Sequence, residues 1–341
     1  MHAIVLEAPG RAVAAERPVP RPGPGEALLK MLVGGVCGSD LASYRGKSAY
    51  VTYPRTIGHE FAARVVEAPD NDLGIRPGML VTGNPYFNCG TCYSCRRGFV
   101  NACVHNETMG VQREGAFSEY FTMPLERLYS GEGIAPQTLA LAEPFCISHH
   151  AMSRVQPRPG ERVLVMGAGA IGALAAADAK IRGASVYISD VFPDKVDAAV
   201  KHFGLDGGFV NDRPEALEEF CRKITGEDGF DVTVEAVGVP SAFLDCVRAA
   251  ASRGRTAVIG VSAKNADFHY LELQRKELTV TGSRGATKED FAAVLDLLRK
   301  GAADPSCLIS RTYSSRDAAA AFQEMDQHSA QIIKAEFEFG T

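Results

Sequence analysis

The segment "VLVMGAGAIGALAAADA", residues 163–179, decides the fold of this 341-residue chain. Its first residues form an apolar run typical of a buried strand, and its alanine-rich end is typical of a helix. The turn between them is Gly167–Ala168–Gly169–Ala170–Ile171–Gly172, a G-x-G-x-x-G pattern. Glycines at this spacing let backbone N–H groups approach a pyrophosphate at a helix N-terminus, where the helix dipole favours anions. The segment therefore predicts a dinucleotide-binding turn that includes Gly167, Gly169, Ala170, Ile171 and Gly172.

Strand-like and helix-like segments alternate on either side of this turn. Amphipathic stretches such as "PDKVDAAVKHFG" separate most of the strand candidates, as expected for parallel βαβ units. The strand candidates are "RVLVMG", "SVYISD", "GGFVN", "DVTVEAVG", "RTAVIGV" and "LTVTGS". We therefore predict an α/β fold with a six-stranded, doubly wound Rossmann domain over residues 148–285.

Asp190 ends the second of these strands, eighteen residues after Gly172. A carboxylate here would accept hydrogen bonds from the adenosine ribose hydroxyls and would repel a 2′-phosphate, which favours NAD over NADP as cofactor. The alternative interpretation is an ordinary glycine-rich turn followed by a surface aspartate.

The rest of the chain has a different pattern. Short apolar or alternating runs such as "HAIVLE" and "FAARVVEA", separated by Pro and Gly clusters, predict a β-rich first domain. A helical segment, "QTLALAEPFCISHHAMSRV", follows them. The tail is expected to form two helices and a closing strand. We predict that residues 1–147 and 286–341 form this domain together.

Composition excludes several classes of function. The chain is 46% hydrophobic and 23% charged, and its net charge is −5. This balance gives no electrostatic reason to bind nucleic acid or an anionic membrane. The N-terminal residues lack a signal-peptide pattern, and no apolar run is long enough to cross a membrane. We therefore expect a cytoplasmic protein with a small-molecule substrate.

Residues 84–103, "NPYFNCGTCYSCRRGFVNAC", contain Cys89, Cys92, Cys95 and Cys103. The spacing is compatible with a disulfide staple, a redox centre, a metal cage or a nucleic-acid-binding zinc ribbon. An odd total of nine cysteines in a reducing compartment argues against disulfides. Four thiolates would saturate a tetrahedral Zn²⁺ and leave no open position, so we predict a structural zinc in a lobe over residues 84–106.

A second set of metal-ligand side chains is more dispersed. Cys37 lies in "VGGVCGSDLASYRG", and His59 and Glu60 lie in "RTIGHEFAARVV". A thiolate, an imidazole and a carboxylate form a plausible Zn²⁺ set with a position left open. On spacing alone, a buried cysteine and a solvated His–Glu pair explain these residues equally well.

At these residues the chain resembles the zinc-dependent medium-chain dehydrogenase/reductase family, and it is most similar to the polyol and sugar-acid branch around sorbitol dehydrogenase. The resemblance runs nearly end to end. It rests on "CGSD", "GHE", the four-cysteine lobe, "GAFSEY", "AEP", "GAGAIG", "VEAVG" and "GSRG", in that order.

The resemblance implies a GroES-like catalytic domain and two zinc ions per chain, one catalytic and one structural. Cys37 and His59 would bind the catalytic zinc, with Glu60 and Glu143 of "AEP" as exchanging carboxylate ligands. Asp40 would orient His59 from behind. The cysteine lobe would lie near subunit contacts, in a homotetramer rather than a dimer.

The implied reaction is the reversible oxidation of a secondary alcohol. Zinc would lower the pKa of the substrate hydroxyl, and hydride would pass to the nicotinamide. Ser39 would carry the departing proton, although Ala42 replaces a histidine that relatives use, so Ser43, a ribose hydroxyl or water are alternatives. Arg284 of "GSRG" is expected near the substrate or cofactor, and Tyr44 and Phe117 are candidates for the substrate pocket.

The main hypothesis is therefore an NAD-dependent zinc dehydrogenase acting on a polyol or sugar acid. A threonine dehydrogenase or another secondary-alcohol dehydrogenase is the alternative within the same class, and Ala42 fits threonine dehydrogenase less well. Two other classes stay open at this point: a zinc-ribbon nucleic-acid-binding protein, which has little basic charge to support it, and a non-catalytic NAD-binding regulator.

Overall fold

The computed structural model describes residues 1–340, which divide into two compact units. The first comprises Met1–Glu143 together with the chain from Ala286 onward, and the second comprises Pro144–Gly285. The domain boundary expected at 147/148 lies inside a helix that runs from Ala142 to Val155. No helix within residues 1–340 combines the length and the apolar character that a membrane span requires.

The N-terminal part of the first unit is built mainly from short strands. These are β1 His2–Ala8, β2 Arg11–Glu16, β3 Glu26–Val36, β4 Arg55–Thr56, β5 Glu60–Glu67, β6 Leu80–Gly83, β7 Tyr86–Phe87, β8 Glu107–Thr108, β9 Tyr120–Pro124 and β10 Leu128–Ser130. Its helices are α1 Gly38–Tyr44, α2 Tyr93–Arg96 and α3 Pro136–Ala140, with 3₁₀ turns at Val100–Ala102 and Leu125–Arg127.

The second unit alternates helices and strands. The helices are α4 Ala142–Val155, which starts at the end of the first unit, α5 Ala170–Ile181, α6 Pro193–Phe203, α7 Ala216–Thr225, α8 Pro240–Ala249 and α9 Leu271–Lys276. The strands are β11 Arg162–Met166, β12 Ser185–Asp190, β13 Gly207–Val210, β14 Phe230–Glu235, β15 Ala250–Val258 and β16 Thr279–Gly282.

The C-terminal segment returns to the first unit. It contains α10 Lys288–Arg299, a 3₁₀ turn at Pro305–Leu308, β17 Ile309–Ser314, a 3₁₀ turn at Ser315–Asp317, α11 Ala318–Gln327 and β18 Lys334–Glu338. The sequence predicted two helices and one closing strand here, and that prediction missed β17. This strand, "ISRTYS", is rich in polar residues and pairs in parallel with β18, so it lacks the apolar run that reveals a buried strand.

The sheet of the second unit confirms the predicted doubly wound fold. All six strand candidates form, in the order β13-β12-β11-β14-β15-β16, and every pairing is parallel. The central strand β11 is buried from Val163 to Met166, as expected for a strand covered on both faces. Strand order reverses between β12 and β14, on either side of β11, and the glycine turn follows β11 at this switch point.

The largest sheet of the first unit places three strands side by side. Its order is β10-β6-β5-β3-β18-β17, and β9 also pairs with β3. The hydrophobic core of this unit is rich in phenylalanine and includes Phe61, Phe117, Phe322 and Phe337. The middle strand β3 is antiparallel to both β5 and β18, and Gly35 of β3 pairs with Glu60 on one side and with Glu336 on the other. The three positions therefore lie in one row across the sheet.

Close approach of the backbone requires glycine at two positions of the turn between β11 and α5. Gly167 has a φ of +103°, and a Cβ at Gly172 would lie only 1.8 Å from the carbonyl oxygen of Gly167. In contrast, a Cβ at Gly169 would meet no atom within 4 Å. Glycine at position 172 is therefore required for α5 to pack closely against the turn. At position 169, the space at the N-terminus of α5 would also accommodate a side chain.

This difference predicts separate effects for two alanine variants. Gly172→Ala should lose roughly 1–3 kcal/mol of unfolding free energy, because the turn must shift to accept the methyl group. Gly169→Ala, the matched control, should remain within about 0.5 kcal/mol of wild type. Denaturant unfolding of both variants measures this. Equal stability of the two variants would contradict the packing role of Gly172.

Candidate metal and nucleotide sites

The end of β3 and the start of β5 bring three metal-ligand side chains together. Because the strands are antiparallel and Gly35 pairs with Glu60, Cys37 just after β3 lies beside His59 just before β5. The donor atoms of Cys37, His59 and Glu60 all lie within 4.8 Å of one another. A thiolate, an imidazole and a carboxylate at this separation are a suitable set for Zn²⁺ with room for a further ligand.

Glu60 is fully buried and forms an ion pair with Lys334 of β18. Gly35 makes room for it, since a Cβ at this position would lie 2.3 Å from Oε2 of Glu60. Burial acts to lower the pKa of Lys334, but the charges of Glu60 and Cys37 outweigh it and raise that pKa. Within residues 1–340, Oε1 of Glu60 accepts no hydrogen bond. A buried carboxylate oxygen without a donor is costly, and a bound cation would remove that cost.

His59 and Asp40 lie next to each other behind Cys37. Oδ2 of Asp40 accepts a 2.9 Å hydrogen bond from the backbone N–H of Cys37, and its Oδ1 lies 3.9 Å from Nδ1 of His59. Burial raises the pKa of Asp40. Burial opposes the charged form of His59, but the negative charges of Cys37 and Asp40 outweigh it and raise the His59 pKa well above its usual value. Asp40 thus fixes the Cys37 backbone and faces the His59 ring.

Glu143 lies in the first turn of α4 and is buried. The hydroxyl of Tyr86, on β7, donates a hydrogen bond to its Oε1. Burial raises the pKa of Glu143 to about 7, while the positive charge on His59 lowers it and the charge on Glu60 raises it. Glu143 is therefore close enough to the site to interact with its charges, although its carboxylate is outside the compact Cys37–His59–Glu60 donor set.

The acidic groups around this set outnumber the basic ones. Buried carboxyl groups come from Asp40, Glu60, Glu143 and Glu336, and Cys37 adds a thiol, whereas the buried basic groups beside them are Lys334 and His59. Isolated buried charges are strongly unfavourable unless they are paired or bind a metal. The chemistry of the donors and this excess of acidic side chains both fit a divalent zinc ion, whose positive charge favours the ionised forms.

The four-cysteine lobe forms the second donor cluster, with all four sulfur atoms within 4.8 Å of one another. Sγ of Cys103 lies 3.6 Å from that of Cys89 and 3.8 Å from that of Cys92, close to the separation of about 3.8 Å that follows from four Zn–S bonds of about 2.3 Å in a tetrahedron. Hydrogen bonds from the backbone N–H groups of Thr91 and Cys92 lower the pKa of Cys89 to about 5. The lobe is therefore arranged for a zinc ion with four thiolate ligands.

The predicted nucleotide turn lies at the carboxyl end of β11, and Gly169 caps α5. Asp190, at the end of the neighbouring β12, is held by the same turn. Its Oδ2 accepts a 2.8 Å hydrogen bond from the backbone N–H of Ala168, and its Oδ1 accepts a 3.1 Å bond from that of Phe192. The carboxylate is therefore fixed in place beside the glycines.

A cleft of about 630 Å³ opens beside this turn and is lined by Gly167, Asp190 and Arg213, among other residues of the second unit. Its place at the carboxyl end of a parallel sheet, next to a helix N-terminus, is where such folds bind nucleotides. Arg213 was not identified from the sequence. It forms an ion pair with Glu219, so part of its charge is already compensated.

The remaining predicted residues have varied positions. Ser39 lies in α1 and is exposed. Tyr44 is partly buried and packs on Phe322, with ring centroids 5.2 Å apart. Phe117 is fully buried and packs against Phe337, so it is a core residue with no exposed surface for a ligand in this structure. Arg284 lies two residues beyond β16 and is exposed.

Three residues near the site were not identified from the sequence: Tyr86, Lys334 and Glu336. Tyr86 lies within the segment 84–106 that contains the cysteine lobe, where the sequence pattern singled out the thiols alone. Lys334 and Glu336 alternate with Ala335 and the buried Phe337 along β18. That alternation is a signal, since it assigns the charged residues to the face opposite the core. It could not reveal that this face is buried as well.

Comparisons with known proteins agree with this geometry. Residues 23–132 match the family model of the alcohol dehydrogenase GroES-like domain, and residues 170–300 match that of the zinc-binding dehydrogenases. A chain with a Cys–His–Glu donor set, a four-thiolate cluster and a Rossmann nucleotide cleft has the features of a zinc-dependent oxidoreductase acting on CH–OH groups. This chain belongs to the zinc-dependent medium-chain dehydrogenase/reductase family, as the sequence motifs predicted.

Individual relatives cover almost the whole chain. L-galactonate-5-dehydrogenase of Escherichia coli K12 is 32% identical over 339 residues, which cover 99% of both chains. The RspB alcohol dehydrogenase of Escherichia coli CFT073, crystallised with NADH, is 30% identical, with a TM-score of 0.92 and 99% of both chains covered. A proposed zinc-binding dehydrogenase of Sinorhizobium meliloti 1021, bound to NADP, is 28% identical, with the same TM-score and coverage.

A substitution in the cysteine lobe tests whether its metal stabilises the fold rather than taking part in the reaction. Cys95→Ser should lose one zinc ion per chain and roughly 3 kcal/mol or more of unfolding free energy, because the short lobe depends on metal for its stability. Metal analysis and thermal unfolding measure both effects. Cys307→Ser is the matched control, since Cys307 belongs to neither donor cluster, and it should keep the full zinc content. Unchanged zinc content in Cys95→Ser would contradict a structural metal in the lobe.

Proposed function

We propose that this protein is an NAD-dependent zinc dehydrogenase that reversibly oxidises a secondary hydroxyl of a polyol or sugar acid to a ketone. The observation that carries the proposal is the convergence of Cys37, His59 and Glu60 donor atoms within 4.8 Å, in a buried region rich in acidic side chains. The family to which the chain belongs supports the reaction class.

Cys37, His59 and Glu60 would hold the catalytic zinc, with Glu143 as an alternative carboxylate, and the cysteine lobe would hold the structural zinc. The catalytic metal, when bound, supplies a Lewis acid that makes a substrate hydroxyl more acidic. The chain's own groups determine how acidic the site is. A thiolate and one carboxylate balance the charge of Zn²⁺, whereas a second bound carboxylate would make the metal a weaker Lewis acid.

The partners of the two glutamates support exchange between them. Lys334 pairs with Glu60, and Tyr86 donates to Glu143, so either carboxylate has a partner when it is not a metal ligand. Asp40 keeps the Cys37 backbone in place and faces His59. Ser39, exposed two residues after Cys37, is the proposed first acceptor of the proton that leaves the substrate hydroxyl.

The second unit would hold NAD as the hydride acceptor. A pyrophosphate would bind the N–H groups of the turn at Gly169–Ala170–Ile171, and Asp190 would accept hydrogen bonds from the adenosine ribose. Relatives crystallised with NADH and with NADP both exist, so the preference for NAD rests on Asp190. Arg213 lines the same cleft, but its ion pair with Glu219 limits its attraction for a 2′-phosphate.

The similarity to L-galactonate-5-dehydrogenase supports a sugar acid or polyol as the substrate class. Arg284 would suit a carboxylated or polyhydroxylated substrate, since a guanidinium group pairs well with carboxylates. We therefore expect aldonates and polyols to be better substrates than simple alcohols.

Removal of the thiolate ligand tests the proposed catalytic role. Cys37→Ala should keep the lobe zinc, lose the second zinc and lose roughly three orders of magnitude in kcat/KM, because a Lewis acid contributes several kcal/mol to catalysis. NADH formation is measured with a panel of hexitols, pentitols, aldonates and L-threonine, alongside zinc content. Cys307→Ser is the control with both metals retained. Full activity of Cys37→Ala on any substrate of the panel would refute the proposed site.

Charge removal at Asp190 tests cofactor choice. Asp190→Asn keeps the size of the side chain but removes the charge that repels a 2′-phosphate, so the preference for NAD over NADP in kcat/KM should fall by about tenfold or more. Asp194→Asn, in the exposed first turn of α6, is the charge-matched control and should keep the wild-type ratio. A wild-type enzyme that prefers NADP would overturn the assignment of Asp190.

A further inference from the structure

Glu336 is the buried ionisable group near the site that the proposed reaction leaves unexplained. Its side chain is fully buried in β18, and neither carboxylate oxygen has a hydrogen-bond partner within residues 1–340. Burial raises the pKa of Glu336 to about 8 and the charge of Glu60 adds to this rise, whereas the charge of Lys334 opposes it, so a closer approach of the ammonium group favours the carboxylate form. A buried carboxyl group without a hydrogen-bond donor costs free energy, so we looked for a function of Glu336 that offsets this cost.

The sheet register places Glu336 opposite Glu60. Gly35 of β3 pairs with Glu60 on β5 and with Glu336 on β18, so the two carboxylates stand on either side of a residue that has no side chain. Strands lie about 4.8 Å apart, which puts the two backbone positions about 10 Å from each other. Gly35 contributes no side chain of its own, and the space above it is occupied by the Glu60 carboxylate and the stem of Lys334.

Lys334 occupies the same face of the sheet. It precedes Glu336 by two residues on β18, and alternate residues of a strand point to the same side, about 7 Å apart along the chain. Its ammonium group pairs with Glu60 and is itself buried. A lysine ammonium carries three donors on a flexible stem, so it can move between neighbouring carboxylates.

We propose that Glu336 is a positioning residue that takes over the ammonium group of Lys334 when Glu60 binds the catalytic zinc. This inference rests on the zinc site proposed above and adds a residue of β18 to the groups that control it. Without Glu336, transfer of Glu60 to the metal would leave a buried ammonium without its counter-charge, which is strongly unfavourable. With Glu336 present, Lys334 exchanges one carboxylate for another, and Glu60 is released to the metal.

A zinc-affinity measurement tests this exchange directly. Zinc binding to wild type and to Glu336→Gln is compared by competition with a chromophoric chelator, with inorganic zinc as the only added ligand. The His59→Ala variant identifies which zinc equivalent belongs to the site. Glu336→Gln should weaken that equivalent by about tenfold, the usual scale for loss of a partner behind a metal ligand, and should leave the lobe zinc unchanged.

Two further variants separate exchange of Lys334 from simple long-range attraction. In a Lys334→Met background, or Lys334→Gln if the methionine variant does not fold, Glu336→Gln should change zinc affinity by less than about twofold, because the coupling partner is gone. Glu338→Gln, on the same strand, is the matched charge control and should bind zinc like wild type. These readouts need no substrate.

Equal zinc affinity of wild type and Glu336→Gln would overturn the inference. A tenfold loss that persists in the Lys334 variant background would overturn it too, since a general loss of negative charge would then explain the effect. If His59→Ala itself loses no zinc equivalent, the failure lies with the proposed zinc site rather than with Glu336 alone.

Discussion

A cluster of buried acidic side chains at the meeting point of β5, β3 and β18 constrains much of the first unit. Each carboxylate there needs a compensating group, because an unpaired buried charge costs several kcal/mol. The compensating groups come from separate parts of the chain: the Cys37 N–H for Asp40, the Tyr86 hydroxyl for Glu143 and the Lys334 ammonium for Glu60. Gly35 is part of the same arrangement, since any Cβ there would displace Glu60.

The two zinc sites of the first unit differ in how local their determinants are. The lobe draws its donors from Cys89 to Cys103, and backbone N–H groups of the same loop support its thiolates. Its short loop has little apolar material of its own, so metal contributes stability there. The Cys37 site instead depends on the pairing of β3 with β5 and β18, which brings together residues that are distant in the sequence. The proposed stability role of the lobe and the proposed chemical role of the sheet site agree with this difference.

Local patterns explain what could be predicted from the sequence. The six parallel strands were predictable because buried strands are continuous apolar runs and the helices between them are amphipathic. Cys37 and His59–Glu60 were identifiable through the family motifs "CGSD" and "GHE", since their spacing alone fits ordinary residues equally well. Lys334, Glu336 and Tyr86 were not predictable, because their roles depend on strand register and on burial of a sheet face that no local pattern records. Phe117 was instead wrongly considered for the substrate pocket, because an aromatic residue suits a pocket and a core equally well. In the structure it lies in the core.

The two units use carboxylates in opposite ways, and the reason is their exposure. Asp190 lies beside an open cleft, where backbone N–H groups hold it and where its charge would be available for the proposed discrimination between ribose and a 2′-phosphate. Glu60 and Glu143 are buried, where charge must be neutralised by a cation or a hydrogen-bond donor. A metal bound there competes with Lys334 and Tyr86 for these carboxylates. The strength of the metal as a Lewis acid therefore depends on these partners, because they determine how many carboxylates are left to neutralise it.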